Sequence, residues 1–316
     1  MKNKFENITH IEGYVYEHDL KLKTSGPNSK NPGTQFIAGD LKVATDEDCL
    51  NVITVHFTYV TPTTSTGKTN ATFTVLNNII EKMYKTVMEA GKEGATKVRI
   101  DSALDLNDFY DDKNDKFVSA KRNEGGFVHV TTDLNEEKAR NTFKTDMVIT
   151  NVRRIEADEE RNLPEKVIVK GAVFNFRKAL LPVEFSATSE GAMNYFESLE
   201  ASTSNPVFTK VWGRQVSTTV VTTHVEESAF GEPEVREVKS SRKDWVITGA
   251  ATEPYVWGEE ETMTNEDLKK CIADRELHLA EVKKRRDDWK ASQGNAISAG
   301  AISAGAISTP EGEFKF

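Results

Sequence analysis

The sequence predicts a mainly β protein: two consecutive strand-rich units, each with an inserted helix, then a charged C-terminal helix and a low-complexity tail. Three observations predict this class. Alternating apolar and polar residues recur between Gly- and Pro-rich turns, as in Ile53, Val55, Phe57 and Tyr59. Two segments instead place apolar residues three and four positions apart, which is the spacing of a helix. Near the C-terminus charged residues dominate, and the chain ends in copies of a small Ala-Ile-Ser unit.

Composition indicates a globular protein. The 316 residues are 37% hydrophobic and 29% charged, with a formal net charge of −9. No stretch approaches the roughly 20 apolar residues of a membrane helix, and the polar start MKNKFENITHIEG does not resemble a signal peptide. We therefore expect a cytoplasmic protein that does not contact membranes. Cys49 and Cys271 lie far apart outside any zinc-binding pattern, which favours two free thiols.

The first predicted unit spans residues 1–158. A long strand over IEGYVYEHDLKLKT is followed by strands over QFIAGDLKVAT and LNVITVHFTYV. One helix is predicted over TFTVLNNIIEKMYKTVMEAG, with Gly91 as its C-terminal stop. Further strands are predicted over KVRIDSALDLNDFY, KFVSAKR, GGFVHVTT and FKTDMVITNVRRIE. The element order is three strands, a helix and then further strands.

The second predicted unit, 159–258, repeats that order with shorter pieces. EKVIVKGAVFNF and LPVEFSAT predict strands, and SEGAMNYFESLE predicts a short helix with Ser189 as its N-cap. The β-branched run PVFTKVWGRQVSTTVVTTHVEE predicts a long strand or hairpin, and EVREVKSSRKDWVITGAATEPYVW closes the unit.

A charged helix is predicted over 259–292. Thr264 and Asp267 form a capping box at its start. Its narrow apolar stripe fits packing on the same chain or on a partner helix, and consists of Leu268, Ile272, Leu279, Val282 and Trp289. Residues 293–316 cannot build a core and predict a flexible tail.

Signatures of catalysis are nearly absent. TPTTSTGKT resembles the end of a phosphate-binding loop, but Pro62 stands where such a loop needs glycine. The six histidines show no metal-ligand spacing, and nothing marks two acidic residues as a paired acid and base. We therefore expect a binding protein rather than an enzyme, with no metal or other cofactor.

Aromatic and basic residues alternate on several predicted strands. Lys210, Trp212 and Arg214 are two residues apart, so all three side chains leave one face of a strand. A ring between two cations suits single-stranded nucleic acid, because a base stacks on the indole while phosphates meet the cations. The alternative is that such aromatic residues belong to a core. The further candidates are Lys243, Trp245, Phe174, Phe176, Lys178, Tyr14, Tyr16, Lys21, Lys23, Tyr110, Lys121 and Arg122, with Phe109 as the alternative to its neighbour Tyr110.

The order of strands and helix is that of the OB-fold, a five-stranded barrel that binds oligonucleotides. IEGYVYEHDLKLKTSG followed by GTQFIAGDLKVA resembles the opening of bacterial and phage single-stranded-DNA-binding proteins. KVRIDSALDLNDFYDDKNDKFVSAKR resembles their fourth strand and long hairpin, and FKTDMVITNVRRI their closing strand. In the second unit VIVKGAVFNF, FTKVWGRQVS and the run from EVREVK to WVITGA resemble the same pieces.

This resemblance implies two tandem OB-type barrels that bind single-stranded DNA with little sequence preference. The setting it implies is replication or recombination, for a phage or mobile element. It also implies docking of replication or recombination proteins on the tail tip at Phe314 and Phe316, although this tail has few acids and carries Lys315. The alternative is a structural or assembly protein of a virus particle, since Thr/Val-rich strands, a charged helix and a tail fit that class too.

Overall fold

The computed structural model of the chain describes residues 5–158, 163–226, 234–258 and 262–300. Strands dominate this part of the chain, and a long helix follows them, so the mainly β class and the C-terminal helix are confirmed. The elements in chain order are β1 Asn7–His18, β2 Lys21–Thr24, β3 Gln35–Ala44, β4 Val52–Val60, α1 Ala71–Ile80, α2 Val87–Gly94, β5 Lys97–Asp111, β6 Lys116–Val130, β7 Asn141–Ile155, β8 Lys166–Phe174, β9 Leu180–Ala187, α3 Glu190–Ser198, β10 Val207–Glu226, β11 Glu234–Ala250 and α4 Asn265–Gly300.

Strand pairing closes on itself twice. β1, β3, β4, β6 and β5 pair in that order, and β5 returns to β1; we call these five strands the first circuit. β7, β8, β9, β11 and β10 pair in the same way, and β10 returns to β7; these form the second circuit. In each circuit one pair, β4–β6 or β9–β11, is parallel and the others are antiparallel. β1 and β7 pair antiparallel and join the two circuits.

β7 lies in a different group from the one predicted. The sequence placed it at the end of the first unit, yet it pairs with β8 from Met147 to Ile155 and with β10 from Thr142 to Ile149. Its pairing with β1 is confined to Asn141–Thr145. Strand pairing is a long-range property that local sequence patterns do not record. β7 thus supplies the strand that the predicted second unit lacked before its helix.

The first helical segment is two helices rather than one. α1 ends before Lys82, whose φ of 59° is left-handed, and Thr86 and Glu89 then form a capping box that starts α2. Gly91 was predicted to end the single helix, and its φ of 70° interrupts the helical backbone inside α2. Two strand predictions also change: the first long strand divides into β1 and β2, whereas KFVSAKR and GGFVHVTT form the single strand β6.

Each circuit encloses its own apolar core. The first core includes Ile11, Leu41, Phe57 and Ile100, all wholly buried. The second core is built around aromatic rings of β7, β9 and β11. Leu104 and Leu106 of β5 belong to this second core, so the β5–β6 hairpin extends from the first circuit onto the second.

α4 packs on the β5–β6 hairpin mainly through charged residues. Its start is confirmed, since Thr264 and Asp267 exchange the two hydrogen bonds of the capping box. The predicted stripe is wrong for Ile272 and Trp289, which are 44% and 62% exposed, because Arg275 and other cations face the hairpin instead. α4 continues to Gly300, past the predicted start of the tail at 293, and residues 301–316 lie outside the described chain.

Candidate nucleic-acid interface

One long hairpin of each circuit contacts the other circuit. From the β5–β6 hairpin, the Lys121 ammonium donates to the carbonyl of Glu184 on β9 and lies 5.4 Å from the centre of the Phe185 ring. From the β10–β11 hairpin, Lys243 Nζ donates to Thr54 Oγ1 on β4 at 3.2 Å. A groove lies between the circuits beside these two hairpins, and Lys121 and Lys243 both line it.

The central groove adjoins two grooves, a further groove adjoins one of these, and neighbouring grooves share lining residues. Val216 lines both the central groove and a second groove. Arg214 and Lys138 line both this second groove and a third one, which also contains Trp212. In the other direction, Arg122 lines the central groove and a fourth groove below α4. We call the four together the trough. It runs from Trp212, between the circuits, to the β8–β9 turn and α4.

The trough differs in charge from the rest of the molecule. The chain carries −9 in total, yet lysine and arginine outnumber aspartate and glutamate along the trough. Its cations are Lys121, Arg122, Lys138, Lys144, Arg177, Lys178, Arg214, Lys243 and Arg275, and its acids are Asp40, Asp46, Asp105, Asp108, Glu137, Asp244 and Asp274. A surface of local positive charge on an acidic protein can attract a polyanion at short range, because charges more than about 10 Å away are screened at 0.1 M salt.

Lys121 is the most perturbed cation of the trough. Burial lowers the pKa of this half-buried ammonium to about 8, and Lys166 lowers it further, although Asp244 and Glu184 act in the opposite direction. Asp244 pairs with Lys166 at 2.9 Å. Within the described residues Lys121 makes no ion pair, so its charge is poorly compensated. Burial also lowers the pKa of Lys243, helped by the neighbouring Lys42. Cations in this state favour the approach of an anion.

At one end of the trough Trp212 is 38% exposed. Its indole lies against Gly249 on the neighbouring strand, where an added Cβ would come within 2.4 Å of the indole nitrogen. Lys144 of β7 stands directly opposite Trp212, and Arg214 follows on the same face of β10. Lys210, predicted to flank the ring on its other side, forms an ion pair with Glu6 at 2.6 Å.

The floor of the trough is held by amide groups that sequence analysis missed. Asn123 of β6 and Gln215 of β10 exchange two hydrogen bonds of 2.9 Å, and both side chains are buried. Asn51 and Asn141 donate to the backbone carbonyl of Gln215. Arg214 and Val216 leave the opposite face of β10 from Gln215 and line the adjoining groove. Isolated amides in polar segments gave no sequence signal for this cluster.

Three predicted binding residues are buried. The prediction is wrong for Phe174 and Tyr14, whereas Trp245 is buried in the second core but also lines the central groove. Phe174 is fully buried and stacks on Phe5 with ring centres 4.3 Å apart. Trp245 is 6% exposed and packs on Phe143, because β11 turns this face into the second core. Tyr14 is 7% exposed, and its hydroxyl donates to Glu47. Alternation along a strand shows which residues share a face, but not which face is inside.

The β8–β9 turn separates residues that were predicted to share a face. β8 ends at Phe174, so Phe176 lies in the turn, 86% exposed, with the Arg177 guanidinium 5.1 Å from its ring centre. Lys178, with a φ of 63°, lines the groove below α4. Lys178 thus lies at one end of the trough, and Phe176 contacts the trough only through Arg177, which lines the same groove.

The remaining predicted residues have varied surroundings. Tyr110 is covered by α4, with Lys283 at 4.7 Å and Arg286 at 5.0 Å from its ring, while its neighbour Phe109 is 44% exposed. Arg122 lines the trough but also pairs with Glu124 at 2.8 Å. Tyr16 packs near the buried Tyr14, whereas Lys21 and Lys23 are exposed on β2. Phe314 and Phe316 lie outside the described residues.

No group of three or more His, Cys, Asp or Glu side chains able to hold a metal ion occurs among residues 5–158, 163–226, 234–258 and 262–300. In the same part of the chain no helix is long and apolar enough to cross a membrane.

Comparison with known proteins gives one family. A family model described as YorF matches residues 6–285, which is most of the chain. The chain belongs to the YorF family. This YorF-family protein matches none of the curated proteins with which it was compared. A deletion mutant of the single-stranded DNA binding protein from Thermus aquaticus is similar over 82% of this chain and 99% of that chain, with 11% identity and a TM-score of 0.44. Similarity at this level supports no conclusion about fold or function.

Proposed function

We propose that this YorF-family protein binds single-stranded DNA along the trough with little sequence preference. The observation that carries the proposal is the trough itself: a series of grooves across both circuits that share lining residues and in which cations outnumber acids, on a protein of net charge −9. Trp212 offers a ring for a base, and Arg214, Lys121 and Lys243 offer charges for phosphates. Stacking platforms within a positively charged groove are the usual means of binding single strands without reading their sequence.

We further propose that each circuit is an OB-type barrel. Its five strands close through one parallel pair, and a helical segment lies between the third and fourth strands, as in that fold. The first barrel would then end before β7 and the second would run from Asn141 to about residue 258, instead of the boundary at 158 predicted from the sequence. Residues 259–316 lie outside both barrels in this proposal, and α4 continues to Gly300, past the boundary at 292 predicted from the sequence.

A single strand fits the trough better than a duplex does. Lys121 is half-buried between the two hairpins and Trp212 presents only part of its ring, so a ligand must bring phosphates into the groove and an unstacked base onto the indole. A duplex keeps its bases stacked on one another. The setting we propose is replication or recombination of phage or host DNA in the cytoplasm, with partner proteins docking on the tail through Phe314 and Phe316.

The proposal is tested by titrating the full chain with oligo-dT, oligo-rU and duplex DNA at two salt concentrations. We expect dT to quench tryptophan fluorescence, with an affinity that falls as salt rises, because each phosphate contact releases counterions. Duplex DNA should bind far more weakly. Absence of both quenching and a gel shift at low salt would refute the proposal, and large oligomers without nucleic acid would favour an assembly protein.

A further inference from the structure

A pair of aromatic rings in contact with each other lies outside the trough. The ring centres of Phe36 on β3 and Tyr59 on β4 are 4.4 Å apart, with the planes inclined by 34°. Tyr59 is 44% exposed, and its hydroxyl is 3.1 Å from the Ser25 hydroxyl on the β2–β3 turn. Alternation along β4 predicted Tyr59 on the inward face with Ile53, Val55 and Phe57, so its exposure needs a cause.

The cause is a β-bulge between β3 and β4. Gly39 pairs with Phe57 but Ile37 pairs with Val60, so one extra residue of β4 is accommodated between them. Val60 therefore takes the inward position against the first core, and Tyr59 turns outward beside Phe36. Gly39 has a φ of 133° and a Cβ there would come within 2.7 Å of the Asp19 carboxylate, so the bulge depends on glycine. The backbone thus holds two aromatic rings on the surface.

The surroundings of the pair are positively charged. From Lys21 to Gln35 the chain carries three lysines and no acidic residue. Lys23 stands directly opposite Phe36 and Lys21 opposite Ala38 in the β2–β3 ladder, and both lysines are exposed. Neither makes an ion pair with a described residue, and the nearby Asp19 carboxylate accepts a hydrogen bond from the Asp40 backbone. Exposed rings beside cations therefore occur here as they do at Trp212, where Lys144 and Lys210 instead pair with Glu6.

The pair continues the line of the trough. Asp40, Thr54 and His56 on the outer face of β3 and β4 line the central groove. Tyr59 lies three residues farther along β4, which is about 10 Å at 3.3 Å per residue. A strand leaving the central groove along β4 would therefore meet the rings within two or three nucleotides.

We infer that Phe36 and Tyr59, flanked by Lys21 and Lys23, form a second base-stacking station for the single strand that occupies the trough. The inference rests on the proposed function and extends it, because it gives the ligand a route onto the first circuit that Tyr14 and Tyr16 cannot provide. Free cations beside the rings favour a polyanion over an apolar protein segment as the occupant. The station predicts that a longer strand gains contacts which a short one cannot make.

The test compares dT oligonucleotides of roughly 6 and roughly 25 nucleotides, the shorter within the site size of one OB-type barrel. Phe36→Ala combined with Tyr59→Ala should weaken binding of the longer strand by about tenfold, since stacking is worth about 1–3 kcal/mol per base. Binding of the shorter strand should be unchanged. Lys21→Glu combined with Lys23→Glu, which leaves the rings intact, should weaken the longer strand and reduce the dependence of its affinity on salt.

Phe127→Ala is the matched control, because Phe127 is 70% exposed on β6 but stands opposite an acid, Asp101. It should bind both lengths as the unaltered chain does. If the unaltered chain binds neither length, the proposed function fails and the station with it. If the unaltered chain binds both and the ring variant matches it at both lengths, or loses both equally, the station alone is refuted.

Discussion

At the scale of single residues, Lys121 should couple the proposed DNA binding to pH. Its pKa of about 8 in the free protein should rise when a phosphate lies beside it, so binding takes up a proton near pH 8. The affinity for oligo-dT should therefore fall as the pH rises from 7 to 9, measured by fluorescence anisotropy. Lys121→Arg keeps its charge throughout this range and should bind equally at both ends of it.

The same lysine should affect folding with the opposite sign. Because its pKa is lower in the folded than in the unfolded chain, the free energy of unfolding should rise with pH between about 8 and the ordinary value of 10.5. Lys121→Met removes a poorly compensated charge, and should weaken DNA binding without lowering stability to urea. A loss of both binding and stability would show that Lys121 has a structural role.

Trp212 gives a second prediction at this scale. Trp212→Ala should weaken binding of oligo-dT by about 1–3 kcal/mol and remove most of the fluorescence quenching. Gly249→Ala keeps Trp212 but should displace its indole, because the added methyl occupies the place of the ring. This variant therefore tests whether binding depends on the position of the Trp212 ring. Trp289→Ala is the control, since this ring is 62% exposed on α4 away from the trough. Equal quenching in the Trp212 and Trp289 variants would contradict the assignment of Trp212 as the ring on which a base stacks.

At the scale of elements, the amide pair of β6 and β10 locks the two circuits together. Asn123→Leu or Gln215→Leu leaves one buried amide without its partner and should cost about 1–3 kcal/mol of the free energy of unfolding in urea. The double variant should recover part of that loss, because neither amide is then left unpaired. If the double variant instead lost the sum of the two single losses in free energy of unfolding, the two amides would contribute independently and not as a pair.

α4 and the β5–β6 hairpin meet at a buried ion pair. Arg275 and Asp108 have side chains 9% and 5% exposed, and His278 lies 3.2 Å from the same carboxylate. Burial alone would raise the pKa of Asp108, but hydrogen bonds from Arg275 and Ser119 lower it. Arg275→Ala leaves an unpaired buried carboxylate and should cost about 3–5 kcal/mol.

The pH dependence of this contact follows from the lowered pKa of Asp108. The stability it gives is present above the ordinary value of 3.8 and is lost as the pH falls below that value. Urea unfolding of the unaltered chain and of Arg275→Ala should therefore differ most near neutral pH and converge in acid. A constant difference down to pH 2 would assign the effect to packing instead of charge.

At the scale of the whole molecule, local patterns predicted the elements but not their partners. Helix caps at Ser189 and Thr264 and the alternation along most of β4 were readable because they depend on neighbouring residues. Contacts between distant strands decide three features that local patterns do not show: which circuit β7 joins, the bulge that exposes Tyr59, and the burial of Trp245. Trp212 and Arg214 were found because cations beside a ring disfavour burial. Lys144 was missed because only the pairing of β7 with β10 places it opposite Trp212.

The opposite signs of the total charge and the trough charge predict an unusual dependence of binding rates on salt. At 0.01 M salt the screening length is about 30 Å, so DNA senses the −9 of the whole chain while it approaches. At 0.1 M the length falls to about 10 Å, the distant acids are screened, and the trough dominates. The association rate of oligo-dT, measured by stopped-flow tryptophan fluorescence, should therefore stay level or rise between these concentrations.

The dissociation rate should rise over the same range, because salt competes with the lysines and arginines for the bound phosphates. The fall in affinity with salt should thus come from faster release instead of slower encounter, in contrast to proteins whose total charge steers DNA toward them. Arg214→Gln, which removes a trough cation, should speed release at 0.1 M and change the association rate little. A steep fall of the association rate between 0.01 and 0.1 M would mean that long-range attraction governs encounter, against the charge distribution described above.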